Sequence, residues 1–262
     1  MNMAILIRLA IFAFVLSLLA VSALAQETVG PGFGGPNAVE NQVESDFGET
    51  WDTWKQKLKD DLGLVLSVDY TAVVLTANEP FDDNEGTGGI ARIFGTFDLF
   101  NVENGTLVYK FEHRHAYGSV SPFDFSLGQI GYVGLQEPPF NDTDFRTQNL
   151  YWRQRIGGRA TVFIGFLDAT DYLDVYALAS PWTGFTNFAF STGSLTIPVP
   201  NEGLGFGAAG LLTDNVFVIG GFADSNSDPG KPGDGFDTFF DDHEYFKHIE
   251  IGWTSSQDMI YL

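Results

Sequence analysis

The sequence predicts an all-β chain, an antiparallel up-and-down meander of the kind that closes into a transmembrane β-barrel. Three observations predict it. Candidate strands of about ten to twelve residues recur along the chain, the length that crosses a bilayer when tilted. Their connections alternate, long then short, without exception. Within most strands apolar and polar residues alternate with period two, so that each strand has one apolar and one polar face. A half-buried soluble sheet has the same period, but a soluble sandwich has no reason to sort its loops by parity.

The composition narrows the class further. The chain has 262 residues, no cysteine, 30 glycines, 25 phenylalanines and a net charge of -21. A chain this acidic repels phosphates, which excludes nucleic acid as a partner. Without cysteine there are no disulfides and no thiolate metal sites. Many glycines and aromatics with few helix formers favour strands.

The N-terminus reads as a secretory signal peptide over residues 1–25. Arg8 supplies the positive charge, "LAIFAFVLSLLAVS" the apolar stretch, and Ala23 and Ala25 the small cleavage positions. The mature chain then starts at Gln26, with a Gly/Pro-rich flexible linker over 26–48. Residues 49–62 form an amphipathic helix, because Trp51, Trp54, Leu58 and Leu62 recur at spacings of three and four. Residues 63–262 are a partial barrel, with the helix on its periplasmic side.

Strands are expected at 63–76, 89–100, 106–117, 147–156, 159–168, 204–213, 215–224 and 243–253, with a ninth beginning near Asp258. Long connections ("ANEPFDDNEGTG", 118–146, 169–203, 225–242) alternate with short ones ("NVENG", Gly157-Gly158, Asp214, "TSSQ"). In a membrane barrel the short set is periplasmic and the long set extracellular. Leu66, Val68, Tyr70 and Val74 oppose Ser67, Asp69 and Thr71 in the first strand. Ala91, Ile93, Phe97 and Leu99 oppose Arg92, Thr96 and Asp98 in the second, and Leu107, Tyr109 and Phe111 oppose Lys110, Glu112 and Arg114 in the third. The fourth sets Leu150, Trp152 and Ile156 against Asn149, Arg153 and Arg155. The fifth sets Ala160, Val162, Ile164 and Phe166 against Arg159 and Thr161, and the eighth Ile249, Ile251 and Trp253 against His248 and Glu250. The sixth and seventh strands are Gly-rich and apolar, and their faces stay unassigned.

Segments dispersed along almost the whole mature chain resemble the OprB-type carbohydrate-selective porins of Gram-negative outer membranes. They are "GETWDTWKQKLKDDLG", "LYWRQRIGGRATVFIGFLDATDYLD", "FTNFAFS", "IPVPNEGLGFGAAGLLTDNVFVIGGFADSNSD" and "YFKHIEIGW". The resemblance implies a monomeric barrel of sixteen strands through which sugars diffuse inward. Eight strands and the start of a ninth fall short of that number. An open sheet edge cannot sit in lipid, so the sequence is expected to be the N-terminal portion of a larger barrel, the alternative being a small eight-stranded one.

The expected inward face of strands two to five gathers Arg92, Lys110, Arg114, Arg153, Arg155 and Arg159, with Asp98, Glu112 and Glu250 on the same side. Phe94 and Phe163 are inward aromatics. Such groups hydrogen-bond sugar hydroxyls, and they also brace one another; both roles stay open. Asp168, Asp171 and Asp174 follow strand five and, with Trp182 of the same long connection, are expected to form a polar rim or constriction, Tyr172 being an interface aromatic. "DSNSDPG" places Asp224, Asn226 and Asp228 at alternating positions like a calcium loop. It departs from one, since Pro229 stands where glycine is needed.

No catalytic residue is expected. The carboxylates show no glycosidase pairing. His113, His115, His243 and His248 have no zinc spacing. The glycines of 203–210 lie on a strand without a following helix, so they are no dinucleotide site. The expected function is passive diffusion of mono- or oligosaccharides across the outer membrane, with no cofactor, in contact with membrane lipid. A general porin without sugar selectivity and a secreted soluble β-rich carbohydrate-binding protein are the alternatives.

Overall fold

The structure, a computed structural model, describes residues 46–131, 138–173 and 199–253. The expected signal peptide, nearly all of the linker, the ninth strand near Asp258, and Asp174 and Trp182 lie outside the described residues.

Helix α1 (Asp46–Leu62) carries Trp51 and Trp54 on one face with their rings stacked at 5.0 Å. Gly63, at φ +69°, ends it by donating from its backbone N to the Lys59 carbonyl at 2.9 Å. The chain then enters β1 (Leu64–Thr76), β2 (Glu85–Phe97), β3 (Gly105–Ala116), β4 (Asp144–Ile156), β5 (Ala160–Leu167), β6 (Gly203–Leu211), β7 (Val216–Asp224) and β8 (Tyr245–Trp253). These eight strands form one sheet in sequence order. Every neighbouring pair is antiparallel. Among the described residues β1 and β8 each have one hydrogen-bonded neighbour, so the sheet is open there.

The short and long connections fall at opposite ends of the sheet, as an up-and-down order requires. Gly157 and Gly158 turn β4 into β5 with φ of +59° and +70°, the pair of left-handed residues that a two-residue hairpin needs. Two strands differ from expectation by three residues or more. β2 starts earlier, at Glu85, and stops at Phe97, because its partner β1 begins at Leu64 opposite Phe97 and offers nothing beyond. Leu99–Asn101 is a tight turn, with Phe100 left-handed at φ +64°, instead of strand. β4 begins three residues early, at Asp144, because β3 extends to pair Arg114 with it.

Side-chain exposure separates two faces. Val68, Tyr70, Val74, Ile93, Leu150, Ile156, Ile249, Ile251 and Trp253 are exposed on one of them. Large exposed apolar side chains on strands at both ends of a sheet are rare on a soluble monomer and usual where lipid covers them. The other face is shielded and divides in two. On β1–β4 it is polar, with Arg92, Glu112, Arg114 and Asn149 buried. On β5–β7 it is apolar, with Phe163, Leu167, Ala209 and Ile219 packed together, and Phe217 and Phe246 flanking them. The register resolves β6 and β7, whose sequences were ambiguous: Phe163 pairs with Gly207, Gly207 with Gly221, and Ala209 with Ile219. Gly207 is inner-facing because the Phe163 ring occupies the place where its Cβ would stand.

Candidate functional site: the inner wall and its strap

After β5 the chain does not stay at the mouth. Residues 168–173 fold over the inner face as a strap. Its apolar part, Ala169, Tyr172 and Leu173, joins the cluster of Phe163, Leu167, Ala209 and Ile219. Its acidic part reaches the polar half of the wall. Lys110 of β3 donates to both Asp171 carboxylate oxygens, at 2.9 and 2.8 Å, and lies 3.5 Å from Asp168 Oδ2. Asn149 of β4 holds the strap in both directions. Its amide donates to Asp171 Oδ2 at 2.6 Å and its carbonyl oxygen accepts from the Asp168 backbone N at 2.9 Å. Asp168 Oδ1 accepts from the Thr170 backbone N, closing the turn. Asp168 and Asp171 are therefore set against the wall and do not form an open rim. Tyr172, expected as an interface aromatic, is buried inward with its ring 4.8 Å from Phe163.

A second network lies higher on the same wall. Arg114 donates from Nε to Glu112 Oε2 at 2.8 Å, and its Nη2 is 4.0 Å from Glu202 Oε1. Arg146 donates from Nη2 to Glu202 Oε2 at 2.8 Å. Glu202 precedes β6, three strands from β3, so the network spans the concavity of the sheet. Arg146 comes from a β-bulge. Lys110 pairs with Asn149 but Phe111 pairs with Thr147, leaving Gln148 over and switching the parity of the strand above it. A third pair, Asp69 with Arg92, joins β1 to β2, and the Arg92 guanidinium lies 5.2 Å over the Phe94 ring.

The other expected wall residues divide. Arg153 faces inward opposite Phe163, and Glu250 faces inward opposite Ile219. Arg155 shares the face but is exposed near the short-turn end. Arg159 and Asp98 are corrections. Arg159 lies in the turn before β5, exposed and 3.2 Å from Asp214, because the strand starts after it. Asp98 lies beyond β2, where its backbone N donates to the Gly63 carbonyl at 2.9 Å and its carboxylate accepts from Thr106 Oγ1 at 3.0 Å.

The calcium loop is a further correction. Asp224 is fully buried and its oxygens accept from the Asn226 backbone N and from Thr238 Oγ1. The Asn226 amide donates to Glu244, and Asp228 accepts from the Gly230 backbone N. The three side chains are spent on the loop's own hydrogen bonds and do not converge. Among the described residues no group of three His, Asp or Glu side chains could hold a metal ion.

Sequence reasoning passed over Arg146, Glu202, Asn149 and His248 as site residues. The Thr147-Gln148-Asn149 run, three polar residues that break the alternation of β4, is the signal that could have exposed the bulge and Arg146. Among the described residues, Tyr172 Oη and both His248 ring nitrogens are buried without a hydrogen-bond partner, and the two rings are 5.5 Å apart on the apolar half of the wall.

Burial pushes Asp171 up to about 6, Asp168 beside it adds to the rise, and Lys110 and Asn149 oppose it. Glu202 is raised for the same first reason, against the pull of Arg146 and Arg114. A carboxyl whose proton affinity rises on docking favours the docked strap at low pH. That preference is complete below the ordinary value of 3.8 and is lost as pH rises through about 6. On the channel reading proposed below, single-channel conductance is therefore expected to rise between about pH 4 and pH 6 as the strap loosens, then to level off. In Asp171→Asn that dependence should flatten. A wild-type profile that falls over this window contradicts the sign.

The chain is similar in structure to OprB of Pseudomonas putida, in a high-pH structure, at a TM-score of 0.55 and 16% sequence identity. The match covers 71% of this chain and 46% of that one, so the chain spans about half the length of the structure it matches. The likeness is one of fold, an OprB-like porin fold. No protein-family model matches the chain, and no curated protein matches it.

Proposed function

We propose that this chain forms the wall of an outer-membrane porin through which neutral, hydroxyl-rich solutes, carbohydrates, diffuse passively. The observation that carries the reading is the closure of the wall's charges on one another. Asp69 with Arg92, Lys110 with Asp168 and Asp171, and Glu112 and Glu202 with Arg114 and Arg146 leave little net field for an ion. They still present donors and acceptors to hydroxyls. The aromatic half beside it, where Tyr172 and His248 have no hydrogen-bond partner among the described residues, suits the apolar faces and the hydroxyls of a sugar ring. Exposed acids on the long loops, among them Glu79, Asp82, Asp142, Asp228 and Asp241, repel anionic solutes at the mouth. The exposed apolar outer face and the fold likeness support membrane residence.

On this reading the short turns are periplasmic, the export signal is residues 1–25, and the pore-forming unit is monomeric. Solutes cross without covalent change and without a cofactor. Arg114 and Arg146 brace the wall and Arg92 and Arg153 line the path. Binding along the path is weak, because a channel that holds its solute stops conducting.

Liposome swelling tests this. Proteoliposomes should swell faster in a neutral sugar than in an amino acid or a sugar phosphate of similar size. Equal rates for sugar and amino acid would leave a general porin. Absence of swelling, with protein that stays soluble without detergent, would remove the porin reading.

A further inference from the structure

The outer face is interrupted by Lys247 on β8 and, at its β1–β3 end, by a second polar place. Tyr70 of β1, His113 and His115 of β3, and Tyr117 just beyond it form a polar aromatic cradle there. The Tyr70 hydroxyl meets His115 Nε2 at 2.8 Å and also meets the Tyr117 hydroxyl. His115 Nδ1 lies 3.3 Å from His113 Nδ1. The four side chains thus form one connected wire, with their rings in contact. It is built around a missing side chain. Gly89 of β2 pairs directly with Ala72 and His115, and a Cβ there would collide with both tyrosine hydroxyls.

We infer that this cradle binds the phosphate-bearing headgroup of a membrane lipid in the leaflet on the long-loop side. The inference rests on the membrane reading proposed above. Its position argues for a lipid: Val68, Val74 and Ile93 around it are exposed on the same face, and acyl chains cannot satisfy hydroxyls and imidazoles. Its height argues for the headgroup level, because His113, His115 and Tyr117 are the last outward positions before the long connection. Its chemistry argues for an anionic oxygen. The two facing Nδ1 atoms share one proton when the rings are neutral. Where both Nδ1 atoms carry a hydrogen two donors face each other, and an acceptor oxygen seated beside the pair satisfies both. No carboxylate is hydrogen-bonded to any of the four among the described side chains. Asp142 and Asp144, exposed at the start of β4, bound the patch on its loop side.

The test uses the whole chain, purified in detergent and exposed to phosphatidic acid or to diacylglycerol with the same acyl chains. Bound lipid is read by native mass spectrometry. Phosphatidic acid should be retained roughly tenfold over diacylglycerol, the size of one charge-assisted contact set. His113→Gln with His115→Gln, and separately Gly89→Ala, should abolish the preference while heat-modifiable gel mobility persists. Excess inorganic phosphate should not displace the lipid; displacement would make this a free-phosphate site and overturn the assignment. Equal retention of the two lipids, unchanged preference in the variants, zinc binding by the imidazoles without lipid preference, or a dimer covering this face would each overturn it. Protein that never partitions into detergent would instead defeat the membrane reading itself.

Discussion

Replacing Lys110 with methionine is expected to release the strap from the inner wall and widen the path. Lys110 is the cation on which Asp168 and Asp171 converge, with its side chain 13% exposed. Methionine keeps the length and removes the charge. Two carboxylates are then left facing each other and an amide. Removing one partner of a buried ion pair costs about 3 kcal/mol or more, since the other charge stays buried without compensation. The apolar half of the strap, Tyr172 and Leu173, resists release but does not relieve that repulsion. Single-channel conductance should rise at pH 7, and sugar block of the current should weaken. Lys110→Met combined with Asp171→Asn should recover part of the loss, because the second change removes one of the two stranded charges. Conductance unchanged by Lys110→Met would show that Asn149 and the apolar half hold the strap without Lys110.

Arg114→Met should cost stability and leave selectivity largely intact. The Arg114 and Glu112 side chains are 4% and 3% exposed, and Arg114 also faces Glu202 across the concavity. Without the guanidinium Glu112 loses the buried ion pair that holds it, and the loss should again be about 3 kcal/mol. Gel mobility shifts on heating should then set in at a lower temperature. Adding Glu112→Gln should restore part of it. Arg159→Ala is the contrast: its pair with Asp214 is open to solvent, and its removal should change neither readout. An Arg114→Met protein as heat-resistant as the parent, but with altered sugar flux, would assign Arg114 to solute contact and not to bracing.

What the sequence disclosed follows from which interactions are local. Strand order, strand faces in β1 to β5 and the hairpin at Gly157-Gly158 depend on period two and turn chemistry, both local properties. They were legible. The sixth and seventh strands lacked contrast because Gly205, Gly207 and Gly221 carry no side chain. Their facing depends on Phe163 and Leu167 from the neighbouring strand. Arg146 was hidden by the bulge at Gln148, which a strict alternation cannot accommodate. The strap was hidden for a different reason. Lys110 and Asp171 are 61 positions apart, and nothing in "FLDATDYLD" specifies which cation it meets. The calcium-like spacing misled because alternating carboxylates at a strand end also serve as caps of a turn, which is what Asp224 and Asp228 do.

On the proposed reading the shielded polar face lines water and the exposed apolar face meets lipid. The chain contains no cysteine, so single cysteines report on it without a background. Thr71→Cys and Thr96→Cys mark the inner face; Val74→Cys and Ile249→Cys mark the outer. In proteoliposomes a charged, membrane-impermeant thiol reagent should modify the first two. The second two should resist it, and a fluorophore attached to them before reconstitution should be quenched by lipids carrying a quencher in their acyl chains. Rapid modification of positions 74 and 249 by the charged reagent, with 71 and 96 protected, would contradict the account.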